Sequence, residues 1–314
     1  MTFDRRKFLK TVSAGAIGAG GVSSMVMPSA ALASPLQKKI QTSDSPVFNL
    51  GLAAYSFKPH FAFYKGKPVE PLNGKSIDMF QFIDYCADQN CAAELTSYFF
   101  PPDADEAYFR KIKRHAFVNG VPIVGTAIGN NFTLEKGEKL DKQIADAKLW
   151  IDRAVQMGAP HIRFFAGKRK EVEQAPDRMK NAIEAVQECV DYAAKAGVFI
   201  GVENHGNLTA DHVIQIISSI ESDWLGVNLD SGNFVTGDVY DEMARCAPYA
   251  INVQIKVKMK TETKGVKIDC DIPRVANIIK ESNYRGFIVM EYEEEKPFEK
   301  VPGAMDVLRK NFTL

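Results

Sequence analysis

The sequence predicts an α/β protein folded as a single (β/α)8 TIM barrel. Short apolar runs alternate with longer amphipathic stretches, there are eight of each, and Pro and Gly are spread evenly without marking a second domain. Alternating βα units form a parallel sheet, and eight units can close it into a barrel of about 250 residues. A doubly wound open sheet is the alternative, but the Gly-rich nucleotide loop common in that fold is not visible.

The predicted strands are short, continuous apolar runs, as expected for strands buried on both faces. In chain order they are Phe48–Ser56, Ala92–Leu95, Val121–Ile128, His161–Phe165, Val198–Glu203, Leu225–Asp230, Ile251–Lys256 and Gly286–Glu291. The predicted helices are the amphipathic stretches Ser76–Gln89, Asp105–Asn119, Glu138–Met157, Asp177–Ala196, Asp211–Ile220, Tyr240–Cys246, Ile272–Glu281 and Gly303–Lys310.

Local signals support several helix boundaries. Gly158 and Gly197 each follow a helical stretch, where a residue with positive φ commonly ends the helix. Ser76 and Asp105 are predicted N-caps, because their side-chain oxygens can accept hydrogen bonds from the first backbone N–H groups of a helix. Residues 58–74, after the first strand, are predicted to form a long loop on the functional face of the barrel.

The first 33 residues are predicted to be a twin-arginine signal peptide. Arg5 and Arg6 lie in a basic segment, a Gly/Ala-rich apolar stretch follows, and Ala31-Leu32-Ala33 has the pattern of a cleavage site. This predicts the twin-arginine (Tat) export machinery as a partner, a periplasmic location and no stable membrane anchor. Residues 34–46 are polar and irregular and are predicted to be a linker, which leaves residues 47–314 as the barrel.

Charge and cysteine content argue against two classes of site. The chain has no net charge, and its first 33 residues contain four basic residues and one acidic residue, so the remainder carries a net charge of −3. We do not expect such a mildly acidic body to bind nucleic acid. The five cysteines include no CxxC pair, which gives little support for a thiolate zinc site, although one disulfide is compatible with an oxidising compartment.

Four consecutive strands of the C-terminal half are predicted to end in polar side chains. Glu203, Asp230, Gln254 and Glu291 lie at or near these ends. A carboxylate at the end of a buried strand is costly unless it meets a cation or a donor, and such ends converge at the C-terminal mouth of a parallel barrel. Three carboxylates and one amide oxygen would form an all-oxygen site for one divalent metal. The pattern therefore predicts a metal-dependent enzyme that acts on polyhydroxylated substrates.

The chain resembles the xylose isomerase-like barrel superfamily, which includes sugar phosphate isomerases/epimerases and inosose dehydratase-like proteins. The resemblance runs from about Phe48 to the C-terminus and is clearest from Gly201 onward. It implies one divalent metal held by two glutamates, an aspartate and a histidine. The matching positions are Glu203, Glu291, Asp230 and Gln254.

Two positions depart from the family pattern. Gln254 replaces the usual metal-binding histidine, and Asn233 replaces a histidine that helps to hold substrate. An amide oxygen makes the site harder and weaker, which favours Mn²⁺ or Mg²⁺, with Co²⁺, Zn²⁺ or Ca²⁺ as alternatives. Relatives often form dimers or tetramers, so the resemblance also implies a homo-oligomer.

Further residues are predicted to act beside this cluster. His205 is a candidate acid/base or substrate donor, or else a polar rim residue. Lys256 is a candidate to stabilise an enolate oxygen, or else part of a structural ion pair. Arg163, in the middle of a strand, is predicted to pair with a neighbouring acid. The predicted substrate-binding residues are Tyr55, Glu94, His205, Asn233 and Lys258.

The predicted reaction is proton transfer next to the carbonyl of a non-phosphorylated keto-sugar or glycoside fragment. A metal would polarise the carbonyl, one of Glu203 and Glu291 would remove the proton, and the other, or His205, would return it. This would make the protein a sugar isomerase/epimerase. Loss of a β-substituent from the same enolate would instead make it a lyase or dehydratase. A third hypothesis, motivated by the missing histidine, is a non-catalytic periplasmic carbohydrate-binding protein.

Overall fold

Eight parallel strands close into a barrel, which confirms the predicted (β/α)8 fold and excludes the open sheet. The computed structural model describes residues 47–312, so the predicted signal peptide and linker lie outside the described residues. Within residues 47–312, no helix is long and apolar enough to cross a membrane.

Each barrel strand pairs with the next along the chain, and the last pairs with the first. The strands are β1 (Phe48–Ala53), β2 (Ala92–Thr96), β3 (Ile123–Ala127), β4 (His161–Phe165), β5 (Phe199–Glu203), β6 (Leu225–Asp230), β7 (Ala250–Ile255) and β8 (Gly286–Met290). Two antiparallel hairpins lie outside the barrel and pair Phe63–Tyr64 with Lys67–Pro68, and Lys258–Lys260 with Lys267–Asp269.

Helices connect the strands and surround the barrel. They are α1 (Met79–Asp88), α2 (Glu106–Val118), α3 (Glu138–Met157), α4 (Arg169–Gln174), α5 (Asp177–Ala196), α6 (Ala210–Ser218), α7 (Val239–Cys246), α8 (Ile272–Glu281) and α9 (Pro297–Phe312). Short 3-10 helices are Ala54–His60, Leu72–Gly74, Ser97–Phe99 and Ala247–Tyr249. Each predicted helix corresponds to one of these, and the short α4 was not predicted.

Two boundaries near the N-terminus differ from the prediction. β1 ends at Ala53, because the chain turns directly into the buried 3-10 helix Ala54–His60. The N-cap of α1 is Asp78 and not Ser76. The Asp78 carboxylate accepts the N–H of Gln81, and the Gln81 side chain accepts the N–H of Asp78, which forms a reciprocal capping box.

The last helix starts earlier than predicted, at Pro297 instead of Gly303. Pro302, directly before the predicted start, lacks a backbone N–H and normally breaks a helix. Here the helix continues through it, and Val301 and Met305 are fully buried against the barrel. Tertiary packing therefore outweighs the local preference.

Other local predictions were confirmed. The Asp105 carboxylate accepts the N–H of Tyr108 and caps α2. Gly158 and Gly197 end α3 and α5 with φ values of 76° and 70°, in the left-handed region that glycine favours. All five cysteines are free, and four of them are buried.

Most of the hydrophobic core lies between the barrel and its helices, and the barrel interior is largely polar. A small apolar cluster inside the barrel consists of Ala53, Ala92, Val124 and Val289. Successive side chains of a strand point to opposite faces. Asn228 and Asp230 on β6 therefore share one face, as do Asn252 and Gln254 on β7, and all four are buried. This alternation carries polar side chains toward the C-terminal mouth.

Candidate active site

A row of amides crosses the barrel interior from β7 to β2. Asn252 Nδ2 donates to Asn228 Oδ1, Asn228 Nδ2 donates to Gln254 Oε1, and Gln254 Nε2 donates to Glu94 Oε2, each at 2.7 Å. Gln254 is fully buried and Glu94 is 1% exposed. The amide of Gln254, a predicted metal ligand, therefore links Asn228 to Glu94 and uses both its oxygen and its nitrogen in doing so.

Lys256 lies at the centre of the C-terminal mouth, surrounded by carboxylates. Its Nζ is 3.0 Å from Asp230 Oδ2, 3.0 Å from Glu291 Oε2 and 3.3 Å from Glu293 Oε1. The lysine is 4% exposed, so these ion pairs are buried from water. Two of its three carboxylate partners, Asp230 and Glu291, are predicted metal ligands.

A second buried ion pair holds Glu203, the remaining predicted ligand. Arg163 Nη1 donates to Glu203 Oε2 at 2.6 Å, which agrees with the prediction that Arg163 pairs with an acid. Asn233 Nδ2 donates to Glu203 Oε1 at 2.5 Å. Asn233 Oδ1 accepts from Lys260 Nζ at 2.5 Å and lies 3.5 Å from Lys256 Nζ. Asn233 thus connects Glu203 to the lysine cluster.

Asp230 is fixed in place by Asn204, which follows β5, and by the turn after β6. The side chain of Asn204 donates to the carbonyl oxygen of Asp230 at 2.9 Å and accepts its N–H at 2.8 Å. The N–H of Gly232 donates to Asp230 Oδ1 at 2.7 Å. One carboxylate oxygen is therefore held by the backbone, and the other faces Lys256.

Burial and neighbouring charge shift the pKa values in this site. Burial raises the pKa of Glu203 to about 7, against the opposing effect of Arg163. Burial also raises the pKa of Glu291 well above its usual range, although Lys256 opposes the shift. Burial alone would lower the pKa of Lys256, but Asp230, Glu291 and other carboxylates raise it well above its usual range. Lys256 therefore remains an ammonium ion, while Glu203 can exchange a proton near neutral pH.

His205 lies at the edge of the cluster and stacks on Phe165, with ring centroids 3.7 Å apart and an angle of 12° between the planes. Burial lowers the pKa of His205 to about 2, and the nearby cations Lys260 and Arg163 contribute to the decrease. The imidazole is therefore neutral at physiological pH. It can accept or donate a hydrogen bond, but it does not hold a second proton to give to a substrate.

A cavity of about 800 Å³ opens between the loops that follow β1 and β8. Its wall includes Tyr55 and Glu293, and Glu293 also contacts Lys256. Burial raises the pKa of Tyr55, and Tyr64, Glu293 and Glu291 add to this effect. Tyr55 packs edge-on against Tyr98. The cavity therefore meets the charged cluster at Glu293.

The predicted residues do not all lie together. Lys258 pairs with Asp269 in the outer hairpin at 2.5 Å, whereas Lys260 reaches Asn233. Glu94 lies deep in the barrel, bonded to Gln254. Lys260 and Glu293 were not predicted. Glu293 lies two residues after Glu291, the same spacing that puts Asn228 and Asp230 on one face of β6. This spacing was the sequence signal that could have identified Glu293 as a site residue.

The side chains present do not fit a divalent metal. Among residues 47–312, no group of three His, Cys, Asp or Glu side chains is arranged to hold a metal ion. Asp230 and Glu291 share an ammonium ion, Glu203 is bound to a guanidinium, and the Gln254 amide is occupied at both ends. The four predicted metal ligands are therefore bound to other side chains of the protein.

Comparison with known proteins identifies relatives at the level of family and fold. Residues 77–311 match the model of the xylose isomerase-like TIM barrel family. No curated protein sequence matches the chain.

Three solved structures have similar folds. D-psicose 3-epimerase from Clostridium cellulolyticum H10 has a TM-score of 0.66 and 13% identity, over 85% of this chain and 100% of that one. The probable 3-DHS dehydratase from Bacillus anthracis has a TM-score of 0.64 and 12% identity, over 83% of this chain and 98% of that one. The 3-keto-D-glucoside 4-epimerase from E. coli has a TM-score of 0.58 and 12% identity, over 84% of this chain and 99% of that one.

Proposed function

Because the chain belongs to the xylose isomerase-like TIM barrel family, we propose that it is a sugar isomerase/epimerase that moves a proton next to a carbonyl. The observation that carries this proposal is the convergence of Asp230, Glu291 and Glu293 on the buried ammonium of Lys256, with Glu203 joined to it through Asn233. This arrangement combines carboxylates that can take a proton with a cation that can stabilise an oxyanion.

The proposed chemistry starts with removal of a proton from the carbon next to the carbonyl of a keto-sugar. One of Glu203 and Glu291 accepts this proton, and the electron pair of the C–H bond moves to the carbonyl oxygen as an enolate. The charge on that oxygen is stabilised by the Lys256 ammonium, which is pre-positioned and shielded from water. The other carboxyl group returns a proton to the opposite face or to a neighbouring carbon, which gives an epimer or an isomer.

The basicity of Glu203 suits this role. A general base works best when its pKa lies close to the working pH, and burial raises the pKa of Glu203 to about 7. His205 is neutral, so it fits the role of a hydrogen-bond partner for a sugar hydroxyl better than that of the acid that returns the proton. The roles of Tyr55 and Asn233 in holding substrate remain predictions.

We further propose a non-phosphorylated substrate, such as a keto-sugar or an oxidised glycoside fragment. The charged side chains on the cavity wall, His60 apart, are four glutamates and three lysines, so the cavity offers no net positive charge to hold a phosphate. The predicted Tat signal peptide supports a periplasmic enzyme. The fold is shared with 3-keto-D-glucoside 4-epimerase, which supports a keto-glycoside among the candidates.

A lyase or dehydratase is the second candidate, because the same enolate loses a β-substituent when one is present. The structural similarity to the probable 3-DHS dehydratase favours keeping this reaction in the test. A non-catalytic carbohydrate-binding protein is the third candidate, and it would bind keto-sugars without changing them.

The test is solvent exchange. A panel of keto-sugars and oxidised glycosides is incubated with the protein in D₂O and followed by NMR. We expect deuterium to enter at the carbon next to the carbonyl, and Glu203→Gln to slow this by about 10²–10⁴-fold because it removes a proton acceptor. Glu188→Gln, which breaks only a surface ion pair with Lys148, is the matched control and should retain full exchange.

The products separate the candidate reactions. An epimer or isomer indicates the proposed activity, and an unsaturated product indicates the dehydratase. Binding of panel members without exchange or turnover would contradict the enzyme hypothesis and favour the carbohydrate-binding protein.

A further inference from the structure

We propose that the ammonium group of Lys256 is the resident cation of this site, that it lies where a divalent metal would bind, and that the protein binds no metal there. This inference concerns the charge of the free protein, so it does not depend on the proposed reaction being correct. It contradicts the prediction of one Mn²⁺ or Mg²⁺ at Glu203, Asp230, Gln254 and Glu291.

Lys256 Nζ lies too close to two of the predicted ligands for a metal to bind beside it. Lys256 Nζ lies 3.0 Å from both Asp230 and Glu291. Metal–oxygen bonds for hard divalent cations are about 2.0–2.6 Å long, so an ion bound to these two carboxylates would lie next to the ammonium. Two cations that close together in a site shielded from water repel each other strongly. The lysine and the metal are therefore alternatives at this position.

The turn after β6 is also shaped around this lysine. Ser231 Oγ accepts the backbone N–H of Lys256 at 2.9 Å. Gly232 leaves room for the side chain, since a Cβ at that position would lie 2.7 Å from the Cδ of Lys256. Asn233 turns its amide oxygen toward the ammonium while its nitrogen donates to Glu203. Three consecutive residues thus accommodate the lysine, which is buried along its length.

The other two predicted ligands have partners of their own. Glu203 pairs with Arg163, and Gln254 joins Asn228 to Glu94. A metal held by all four predicted ligands would have to break these contacts as well as the pairs with Lys256. Each contact lies in a buried site, where an unpaired charge or amide is costly.

Lys256 also has a catalytic role if the proposed function is correct, and this role rests on that function. An ammonium ion is a compact positive charge with three donors, and it can stabilise an enolate oxygen by hydrogen bonding as well as by charge. Lys256 would then be the catalytic residue that contacts the substrate oxygen, and the reaction would proceed in the presence of a chelator.

The test measures metal binding in the absence of substrate. The full chain is treated with EDTA, and Mn²⁺ binding is followed by electron paramagnetic resonance and by thermal unfolding. We expect the wild type to bind no Mn²⁺ specifically and to unfold at the same temperature with EDTA or with Mn²⁺. Lys256→Ala leaves three carboxylates without their cation, and we expect it to bind Mn²⁺ at least about a hundredfold more tightly than the wild type and to be stabilised by it.

Lys258→Ala is the matched control, because Lys258 lies two residues away and pairs only with Asp269 on the surface among the contacts of the described chain. It should behave like the wild type. If Lys256→Ala does not fold, Lys256→Met keeps the length of the side chain without its charge and is measured in the same way. Specific binding of one Mn²⁺ per chain by the wild type would overturn the inference, and so would failure of the soluble Lys256 variants to gain a site. A metal-free wild type that catalyses no exchange would reject the proposed function alone.

Discussion

Arg163→Met should destabilise the protein strongly, because it removes the cation paired with Glu203. Both side chains are at most 4% exposed, and the ion pair measures 2.6 Å. At that distance the attraction is about 6 kcal/mol for an effective dielectric constant of 20. Measured losses on removal of one partner of a buried pair are about 3–5 kcal/mol, because the remaining group stays buried without its counter-ion. We expect a loss in this range.

The assay is thermal unfolding with urea unfolding as a second measurement. A loss of 3–5 kcal/mol corresponds to a decrease in Tm of roughly 6–20 °C for a domain of this size. Arg169→Met is the control, because it breaks a partly exposed pair with Glu173 and should change stability by less than about 1 kcal/mol.

The double variant Arg163→Met/Glu203→Gln separates ion pairing from packing. It leaves no buried charge at this position, so it should recover much of the lost stability. Arg163 also lies over the Phe165 ring at 4.2 Å, and the methionine stem retains part of that contact. The reasoning would be refuted if Arg163→Met lost less than about 1 kcal/mol, or if the double variant were no more stable than the single one.

Two further predictions concern residues near the site. Burial, with a contribution from Arg163, lowers the pKa of His161 to about 3, whereas the unfolded chain binds a proton near pH 6.5. The unfolded state therefore binds more protons below that pH, and stability contributed by His161 should fall by about 1.4 kcal/mol per pH unit as the pH decreases. The free energy of unfolding of the wild type and of His161→Gln is measured with urea between about pH 3 and 6.5. The difference between the two should decrease as the pH falls, and a constant difference would contradict the prediction. Gly232→Ala should cost about 1–3 kcal/mol because its methyl group would meet Lys256, whereas Gly303→Ala, with open space around it, should be neutral or stabilising. Equal Tm values for these two variants would count against the proposed packing.

The strands were predictable because their signal is local. Each barrel strand is a short apolar run, and burial on both faces makes such runs stand out from the amphipathic helices. The end of a run also indicates where a side chain reaches the mouth, and for this reason Glu203, Asp230 and Glu291 could be chosen from sequence. The start of α9 could not be predicted, because the burial of Val301 and Met305 that carries the helix through Pro302 depends on the barrel surface.

The partners of the site residues were harder to predict than the residues themselves. Arg163 and Glu203 are 40 residues apart, and Gln254 and Glu94 are 160 apart. Only closure of the barrel brings them into contact. Whether Lys258 or Lys260 turns inward depends on the outer hairpin, in which Lys258 pairs with Asp269. Sequence spacing alone therefore did not indicate that Lys260 would contact Asn233.

The replacement at position 254 and the lysine at position 256 have a common physical explanation. A neutral amide in place of histidine weakens a metal site, yet Asp230 and Glu291 still require a cation because they are buried. Position 256 lies two residues further along the chain from Gln254, so the alternation of a strand directs its side chain to the same mouth. A lysine there provides the positive charge from within the chain, 3.0 Å from both carboxylates. On our inference, Lys256, directly after the strand that carries Gln254, supplies the positive charge that the family resemblance would assign to a metal.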